Sequence, residues 1–286
     1  MKTIFDHIAI VGLGLIGGSL ARVVKQQKLA HTVSAFGRSI ERLQKARELG
    51  LVDNCYTRFE DGLHEADAVV IATPVGIIEE QALALAPYLR DNAVVTDVGS
   101  VKGPLVAALE PRMPRGTFFI GGHPIAGTEN SGFECSFSGL FEGRICILTP
   151  TRQSDAGALE RVRKLWIAAG STVVLMDAEV HDKIVAAISH LPHMVAFTLV
   201  NAIAGMKDFE QNILEYSAGG FRDFTRIAAS DPVMWRDIAL MNKTNLLQTL
   251  DFFTRALQDL KDAVYSGNGH KLEQLFKQSR DTRRGI

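Results

Sequence analysis

The chain of 286 residues has few cysteines and no block of like charges, and its first residues predict no export signal. Its three cysteines (Cys55, Cys135 and Cys146) are odd in number and lack Cys-x-x-Cys spacing, which argues against a disulfide framework or a metal site and favours a cytoplasmic setting. A net charge of −1 without a charged tail predicts no nucleic-acid partner. No apolar run is expected to reach membrane-spanning length, so the sequence predicts no membrane contact either.

An apolar content of 47% supports a large core, and its pattern changes near residue 176. Before that point, apolar runs typical of strands buried on both faces alternate with helical patterns, which predicts an α/β fold with a doubly wound, mostly parallel sheet. The predicted strands cover residues 7–11, 32–36, 68–72, 93–97, 117–120, 145–148 and 172–176. Later residues have only helical patterns. We therefore expect a Rossmann-type domain of residues 1–176 followed by an all-helical domain of residues 177–286.

A glycine motif, Gly-Leu-Gly-Leu-Ile-Gly at 12–17, joins the first predicted strand to a helix. That setting is typical of a dinucleotide site, because the glycines permit a tight turn, close approach of a pyrophosphate and close packing of helix on strand. The alternative is a turn with a purely structural role. Cofactor contacts are predicted for Gly12, Leu13, Gly14, Leu15, Ile16 and Gly17, and for Thr73 and Pro74 at the end of a later strand.

The end of the second predicted strand bears on the choice of cofactor. NAD-preferring sites usually have an acidic residue there, which binds the ribose 2′-hydroxyl. This sequence has Gly37, Arg38 and Ser39 instead, and no acid before Glu41. Arg38 can bind a 2′-phosphate in a bidentate fork and Ser39 can add a hydroxyl, so NADP is favoured and NAD stays possible. Alternatively, Arg38 stacks on the adenine or lies in solvent.

Two candidate catalytic residues follow predicted strands at the carboxyl edge of the sheet. Ser100 precedes a helix, where its alternative role is that of a helix cap. His123 lies in a glycine-rich stretch predicted to be a loop, and an imidazole that titrates near neutral pH suits acid–base catalysis there. Ser189 and His193 are four residues apart on one predicted helix face, which Pro192 should kink.

Two further features of the helical part indicate binding. A stretch that starts with two glycines at 219–220 is dense in Arg, Asp and Trp and predicts a binding loop in which Arg222 or Arg226 clamps a carboxylate, unless nearby aspartates pair with them. Apolar residues also recur at helical spacing, which predicts packing within the domain or, as we favour, a homodimer seam. They are Leu246, Leu250, Phe253, Leu257, Leu260 and Val264.

Five blocks of the sequence, at 12–19, 97–102, 122–129, 189–193 and 220–228, resemble the prephenate dehydrogenases of tyrosine biosynthesis. The most specific blocks are Gly-His-Pro-Ile-Ala-Gly-Thr-Glu and Ser-His-Leu-Pro-His. The resemblance implies oxidative decarboxylation of prephenate to 4-hydroxyphenylpyruvate with hydride transfer to NAD(P)⁺. The acid that the family carries after the second strand is absent here, which puts NAD preference in doubt.

The same resemblance assigns roles to individual residues. It implies that His123 takes the proton from the 4-hydroxyl of prephenate and that Ser100 hydrogen-bonds this hydroxyl and the histidine. It also implies that Arg226 binds a carboxylate of the substrate and that His193 and Ser189 lie on the substrate side. Glu129 is implied to lie near the entrance of the site, and Trp235 beside the arginine segment.

Other activities stay open at this point. The substrate can be arogenate, or both compounds in a cyclohexadienyl dehydrogenase, although the second histidine, His193, favours prephenate. A hydroxyacid or imine reductase that uses Lys183 would leave His123 and the 189–193 block unexplained. A nucleotide-sensing regulator would bind cofactor without turnover. Inhibition by tyrosine, which resembles the product, is a further hypothesis.

Overall fold

The computed structural model describes residues 3–128, 132–206 and 213–285. Eight strands form one sheet in the order β3-β2-β1-β4-β5-β6-β7-β8, in which only the pair β6–β7 is antiparallel. The strands are β1 (Phe5–Val11), β2 (Ala30–Phe36), β3 (Asn54–Tyr56), β4 (Ala68–Ile71), β5 (Val94–Asp97), β6 (Phe118–Pro124), β7 (Ile145–Thr149) and β8 (Thr172–Leu175). The predicted α/β fold with a mostly parallel, Rossmann-like sheet is confirmed.

Helices cover both faces of this sheet, as the continuous apolar strands require. They are α1 (Leu15–Gln27), α2 (Ile40–Glu48), α3 (Ile78–Leu85), α4 (Gly103–Leu109) and α5 (Ala156–Ala168). Residues of β4 point alternately into two separate apolar cores, with Val70 in one and Val69 and Ile71 in the other. The central strands are therefore buried on both sides, and polar chemistry is left to the strand ends.

Two details of the sheet differ from the prediction. Strand β3 was not predicted, because it has only three residues, one of them a polar asparagine, and so shows no apolar pattern typical of a strand. Strand β6 continues through His123 to Pro124, so the expected loop around the histidine is wrong at that residue. His123 pairs with Ile147 on antiparallel β7, which gives it a fixed backbone at the sheet edge.

After β8 the described residues are helical. The helices are α6 (Ala178–Val185), α7 (Leu191–Ala204), α8 (Gly219–Thr225), α9 (Pro232–Met241), α10 (Lys243–Tyr265) and α11 (Gly269–Arg284). A π-helical turn, Ala186–His190, joins α6 to α7 where a kink was expected. The wider turn accommodates Pro192, which lacks the amide hydrogen that an α-helix would use.

The helix Ala178–Ala204 contradicts the expectation that no apolar run reaches membrane-spanning length. Its 27 residues, with a mean hydropathy of 1.5 in the most apolar stretch, are long and apolar enough to cross a membrane. Length and composition are the only basis of that finding, and a helix that packs against protein has the same properties. Only 22% of that stretch is buried within the chain, and Ile188 is 73% exposed.

The predicted apolar stripe lies on α10, and half of its six residues are exposed. Leu246 is buried and Leu250 and Leu260 are half-buried, whereas Leu257 is 53% exposed and Val264 is 62% exposed. Packing inside its own domain therefore accounts for only part of this stripe. A long apolar face without cover in a single chain is typical of a subunit interface.

Candidate active site

A cleft of about 540 Å³ lies at the carboxyl ends of β1, β2 and β4, a size that suits a cofactor. Most of the residues predicted to contact the cofactor line it, namely Gly12, Leu13, Gly14, Arg38, Ser39, Thr73 and Pro74. Leu15, Ile16 and Gly17 instead begin helix α1 behind the cleft. Their backbone amides lie at the amino end of that helix, which favours anionic groups such as a pyrophosphate.

The glycines of the turn serve three different purposes. Gly12 has a φ of 95°, and a Cβ there would lie 2.9 Å from the carbonyl oxygen of Ala72. A Cβ at Gly14 would meet nothing within 4 Å, so this residue faces the open cleft. A Cβ at Gly17 would overlap the carbonyl oxygen of Gly12. Gly12 and Gly17 therefore have no room for a side chain against the protein, whereas Gly14 leaves space on the side of the cofactor cleft.

The ribose end of the cleft is basic. Arg38 is exposed there, and Arg42, which was not predicted, lines the same end with its guanidinium 5.7 Å from the Phe133 ring centre. Ser39 caps α2 by accepting a hydrogen bond from the amide of Arg42 at 3.3 Å and donates to Glu41 at 2.7 Å. The Ser39 hydroxyl is therefore already engaged. Arg42, whose guanidinium lies 3.5 Å from the exposed carboxylate of Glu134, is a second candidate for a phosphate ligand because it carries a positive charge.

The catalytic candidate His123 belongs to a chain of three side chains. Its Nδ1 lies 2.8 Å from Nε2 of His181, and Nδ1 of His181 lies 2.7 Å from Oδ1 of Asp182. His181 and Asp182 are buried on α6, the first helix after the sheet. The prediction missed both, because single polar residues on an amphipathic helix carry no signal of their own.

Backbone amides hold Asp182 against the sheet. Its carboxylate accepts hydrogen bonds from the amides of Lys102 at 2.7 Å and Gly103 at 2.8 Å. A Cβ at Gly103 would lie 2.9 Å from Oδ2 of Asp182, so the glycine leaves room for the carboxylate. The start of α4 therefore binds a side chain of α6.

A buried ion pair lies beneath the histidine. The ammonium of Lys102 contacts the carboxylate of Asp97, and both side chains are fully buried. Asp97 also accepts hydrogen bonds from the amides of Gly99 at 2.8 Å and Gly122 at 3.1 Å. Because Gly122 precedes His123, the pair anchors the backbone of the catalytic candidate. Both residues belong to the block at 97–102 that resembles the family, but no local pattern assigns either of them a role.

The surroundings of His123 keep its imidazole neutral. Burial lowers the pKa of His123 well below its usual value, and the neighbouring His181, Lys102 and His190 lower it further. A neutral imidazole near neutral pH is the form that a general base requires.

Substrate-side candidates meet on the helical part. The ring of His193 stacks on that of Trp235 with centres 3.7 Å apart and planes at 23°. Nδ1 of His193 donates to the carbonyl oxygen of Ser189 at 2.9 Å, so the two predicted residues are joined through the backbone of Ser189. Burial lowers the pKa of His193, and nearby Arg226 lowers it further, while the Ser189 carbonyl opposes both effects.

The arginine segment is more regular than predicted. Instead of a loop, residues from the glycine pair onward form α8, a 3₁₀ turn at Arg226–Ala229 and α9. Arg226 is exposed. Of the nearby aspartates, Asp231 caps α9 by accepting from the amide of Met234 at 2.8 Å, and Asp237 pairs with Arg236 at 2.7 Å.

Ser100 and Glu129 complete the predicted set. Ser100 lies half-buried between β5 and α4, but α4 starts at Gly103 with Lys102 at the cap position, so the helix-cap alternative is wrong. Glu129 lies outside the described residues. Within residues 3–128, 132–206 and 213–285, no group of His, Cys, Asp and Glu side chains is arranged to hold a metal ion.

The Rossmann-like fold and the cleft at its glycine turn define the chain as a protein with a nucleotide-binding domain. Residues 20–175 match the family model described as prephenate dehydrogenase, nucleotide-binding domain. Residues 177–278 match the model described as prephenate dehydrogenase, dimerization domain. The chain therefore belongs to the prephenate dehydrogenase family.

Individual relatives agree with this assignment. The chain is 40% identical over 282 residues to the cyclohexadienyl dehydrogenase of Zymomonas mobilis, which covers 98% of this chain and 96% of that protein. It is 36% identical to the prephenate dehydrogenase of Bacillus subtilis, over 100% of this chain and 77% of the relative. A solved structure of Aquifex aeolicus prephenate dehydrogenase with hydroxyphenyl propionate and NAD⁺ superposes with a TM-score of 0.93 at 39% identity, over 98% of each chain.

Proposed function

We propose that the protein catalyses the oxidative decarboxylation of prephenate to 4-hydroxyphenylpyruvate in tyrosine biosynthesis. The observation that carries this proposal is the neutral, partly exposed His123 on a rigid strand at the same sheet edge as the cofactor cleft. A general base for a hydroxyl proton must be unprotonated and fixed in position, and His123 meets both requirements.

In the proposed reaction, the cleft lined by Gly12, Gly14 and Arg38 would hold the nicotinamide cofactor, which would supply the acceptor for the hydride from C4 of the substrate. His123 takes the proton of the 4-hydroxyl, and Ser100 hydrogen-bonds that hydroxyl. The ring carboxylate leaves as carbon dioxide, and the electron pair of the broken carbon–carbon bond completes the aromatic ring. The oxygen at C4 then takes the proton back from His123, which gives the hydroxyl of the product and restores the neutral imidazole. Arg226 binds a carboxylate of the dianionic substrate, with Ser189, His193 and Trp235 on the same side. Because aromatisation drives the reaction, the protein mainly positions groups and moves one proton.

The decisive assay mixes the protein with prephenate and NADP⁺ and follows absorbance of the reduced nicotinamide. We expect turnover that needs prephenate and falls about 10²- to 10⁴-fold in His123→Asn, the usual contribution of a general base. Cofactor binding without turnover would instead indicate a nucleotide-sensing protein. Wild-type turnover in His123→Asn would contradict the proposed base.

We propose prephenate as the preferred substrate. Support comes from His193, because its stacking on Trp235 and its hydrogen bond to the Ser189 carbonyl hold its ring in one orientation. The name of the Zymomonas mobilis relative keeps dual use of prephenate and arogenate as the alternative. Measuring kcat/KM with prephenate and with arogenate tests this preference. A higher kcat/KM for arogenate would overturn it.

We propose NADP as the favoured cofactor, with NAD as a possible alternative. Arg38 and Arg42 both line the ribose end of the cleft, and Gly37 lies at the position where NAD-preferring sites usually have an acidic residue. A Cβ at Gly37 would meet only Leu43, at 3.4 Å, so an aspartate can be introduced for a test. We expect Gly37→Asp to favour NAD, because its carboxylate repels a 2′-phosphate and can bind a 2′-hydroxyl.

We propose a homodimer formed through residues 177–286, after a nucleotide-binding domain of residues 1–176. The exposed stripe on α10 and the match of residues 177–278 to a dimerization domain support it. Sedimentation of wild type and of Leu257→Glu tests it, with Asp259→Glu on the same helix as the control. A monomeric wild type, or a Leu257→Glu variant that stays dimeric, would count against this interface.

A further inference from the structure

We propose that Asp182 and His181 act as positioning residues that fix the tautomer of His123, so that its proton sits on Nδ1 and Nε2 is free to act as the base. This inference rests on the proposed function for its catalytic consequence, but the tautomer itself can be measured without substrate.

The protonation pattern begins at Asp182. Its carboxylate lies within hydrogen-bond distance of two amides, those of Lys102 and Gly103, which can only donate. Hydrogen bonds from backbone amides favour an ionised carboxylate, and an ionised carboxylate can only accept. Nδ1 of His181, 2.7 Å away, must therefore carry a proton and donate it to Asp182.

The pattern continues through the second histidine. A His181 ring whose single proton sits on Nδ1 has an unprotonated Nε2, which can only accept. The atom that faces it at 2.8 Å is Nδ1 of His123, so this nitrogen must be the donor. A neutral His123 with its proton on Nδ1 has a lone pair on Nε2, which is the arrangement that proton abstraction needs.

The same contacts stabilise the product of proton transfer. When His123 takes the hydroxyl proton it becomes a cation in a buried site, and its Nδ1–H still points to an acceptor that is backed by a carboxylate. In the Ser-His-Asp hydrolases, where a carboxylate orients the base directly, loss of that orientation costs about 10⁴-fold in kcat. Here one imidazole lies between the two groups.

The three residues come from both parts of the fold. His123 lies on β6, the amides belong to the start of α4, and His181 and Asp182 lie on α6. Asn242, at the start of α10, donates to the backbone carbonyl of Asp182 at 2.8 Å and so holds α6 in place. The relay is therefore assembled only when the first helix of the helical part packs on the sheet edge.

A pair of substitutions at His181 tests the relay. The Oε1 atom of His181→Gln can accept from Nδ1 of His123, whereas His181→Phe keeps the bulk of the ring and has no acceptor. We expect His181→Phe to lower kcat with prephenate about 10²-fold, within the range set by loss of an orienting group. KM for prephenate and cofactor should stay near the wild-type values, and His181→Gln should recover much of the lost kcat.

Melting temperatures of both variants separate this effect from damage to the fold. Equal kcat in His181→Phe and His181→Gln, or a kcat in His181→Phe equal to that of wild type, would overturn the inference. So would a rise in KM with kcat unchanged.

A spectroscopic measurement tests the tautomer independently of activity. In protein labelled with ¹⁵N-histidine, the signals lost in His123→Asn identify the imidazole of His123. We expect wild type to show a protonated Nδ1 and an unprotonated Nε2 at neutral pH, and His181→Phe to show a mixture. A proton on Nε2 in wild type would overturn the relay. A wild type with the expected tautomer but no turnover of prephenate would instead refute the proposed function.

Discussion

The buried ion pair beneath the active-site histidine allows a quantitative test of how the site is held. The Asp97→Asn substitution leaves the ammonium of Lys102 in a fully buried position without the carboxylate that it contacts. Removing one partner of a buried pair costs about 3–5 kcal/mol, because an uncompensated charge stays out of water. We expect a loss of stability of that order, together with weaker anchoring of Gly122 and His123.

The expected change in melting temperature follows from the chain length. At about 2.1 cal/mol/K per residue, unfolding of 286 residues carries an entropy of about 0.6 kcal/mol/K. A loss of 3–5 kcal/mol then corresponds to a fall in Tm of about 5–8 °C. Circular dichroism during heating, at fixed protein concentration and without cofactor, measures it.

Two further variants make the test specific. The double variant Asp97→Asn with Lys102→Met should be more stable than Asp97→Asn alone, because it removes the unpaired charge. The control is Glu79→Gln, which breaks an exposed ion pair whose atoms, on Glu79 and Arg112, lie 2.9 Å apart. It should lower the free energy of unfolding by less than about 1 kcal/mol. An equal fall in Tm for the buried and the exposed substitution would refute the reasoning.

Other expectations concern the reaction. Burial lowers the pKa of His123 well below 6.5, so kcat/KM should stay level from pH 8 down to pH 6.5. It should fall only as the pH passes through the lowered pKa, where the imidazole becomes protonated. A fall in kcat/KM that already begins at pH 6.5 or above would contradict the neutral base. Arg38→Ala should raise KM for NADP far more than KM for NAD, since only NADP carries the 2′-phosphate, and an equal change for both would remove the role of Arg38. Arg226→Ala should weaken prephenate binding in isothermal titration by about 1.5–3 kcal/mol, the range for a hydrogen bond to a charged group, and unchanged affinity would exclude this arginine as the carboxylate ligand.

Local patterns were sufficient for the sheet and the cofactor end of the site. Central strands are buried on both faces, so their apolar runs are unambiguous, and the glycine turn between β1 and α1 needs its residue types for backbone reasons. Strand β3 and the extension of β6 through His123 were beyond this reasoning. A three-residue strand has no pattern of its own, and the pairing that extends β6 comes from β7, more than twenty residues later in the chain.

The sequence by itself determined the α/β fold, the place of the cofactor and the candidate base, because each depends on neighbouring residues or on one strand end. Only the tertiary structure decided what surrounds that base. His181 and Asp182 reach His123 and the amide of Lys102 across 58 and 80 residues of chain, a contact that exists only when α6 packs on the sheet edge. Protonation states arise from burial and from such partners, and neither is encoded in a local pattern.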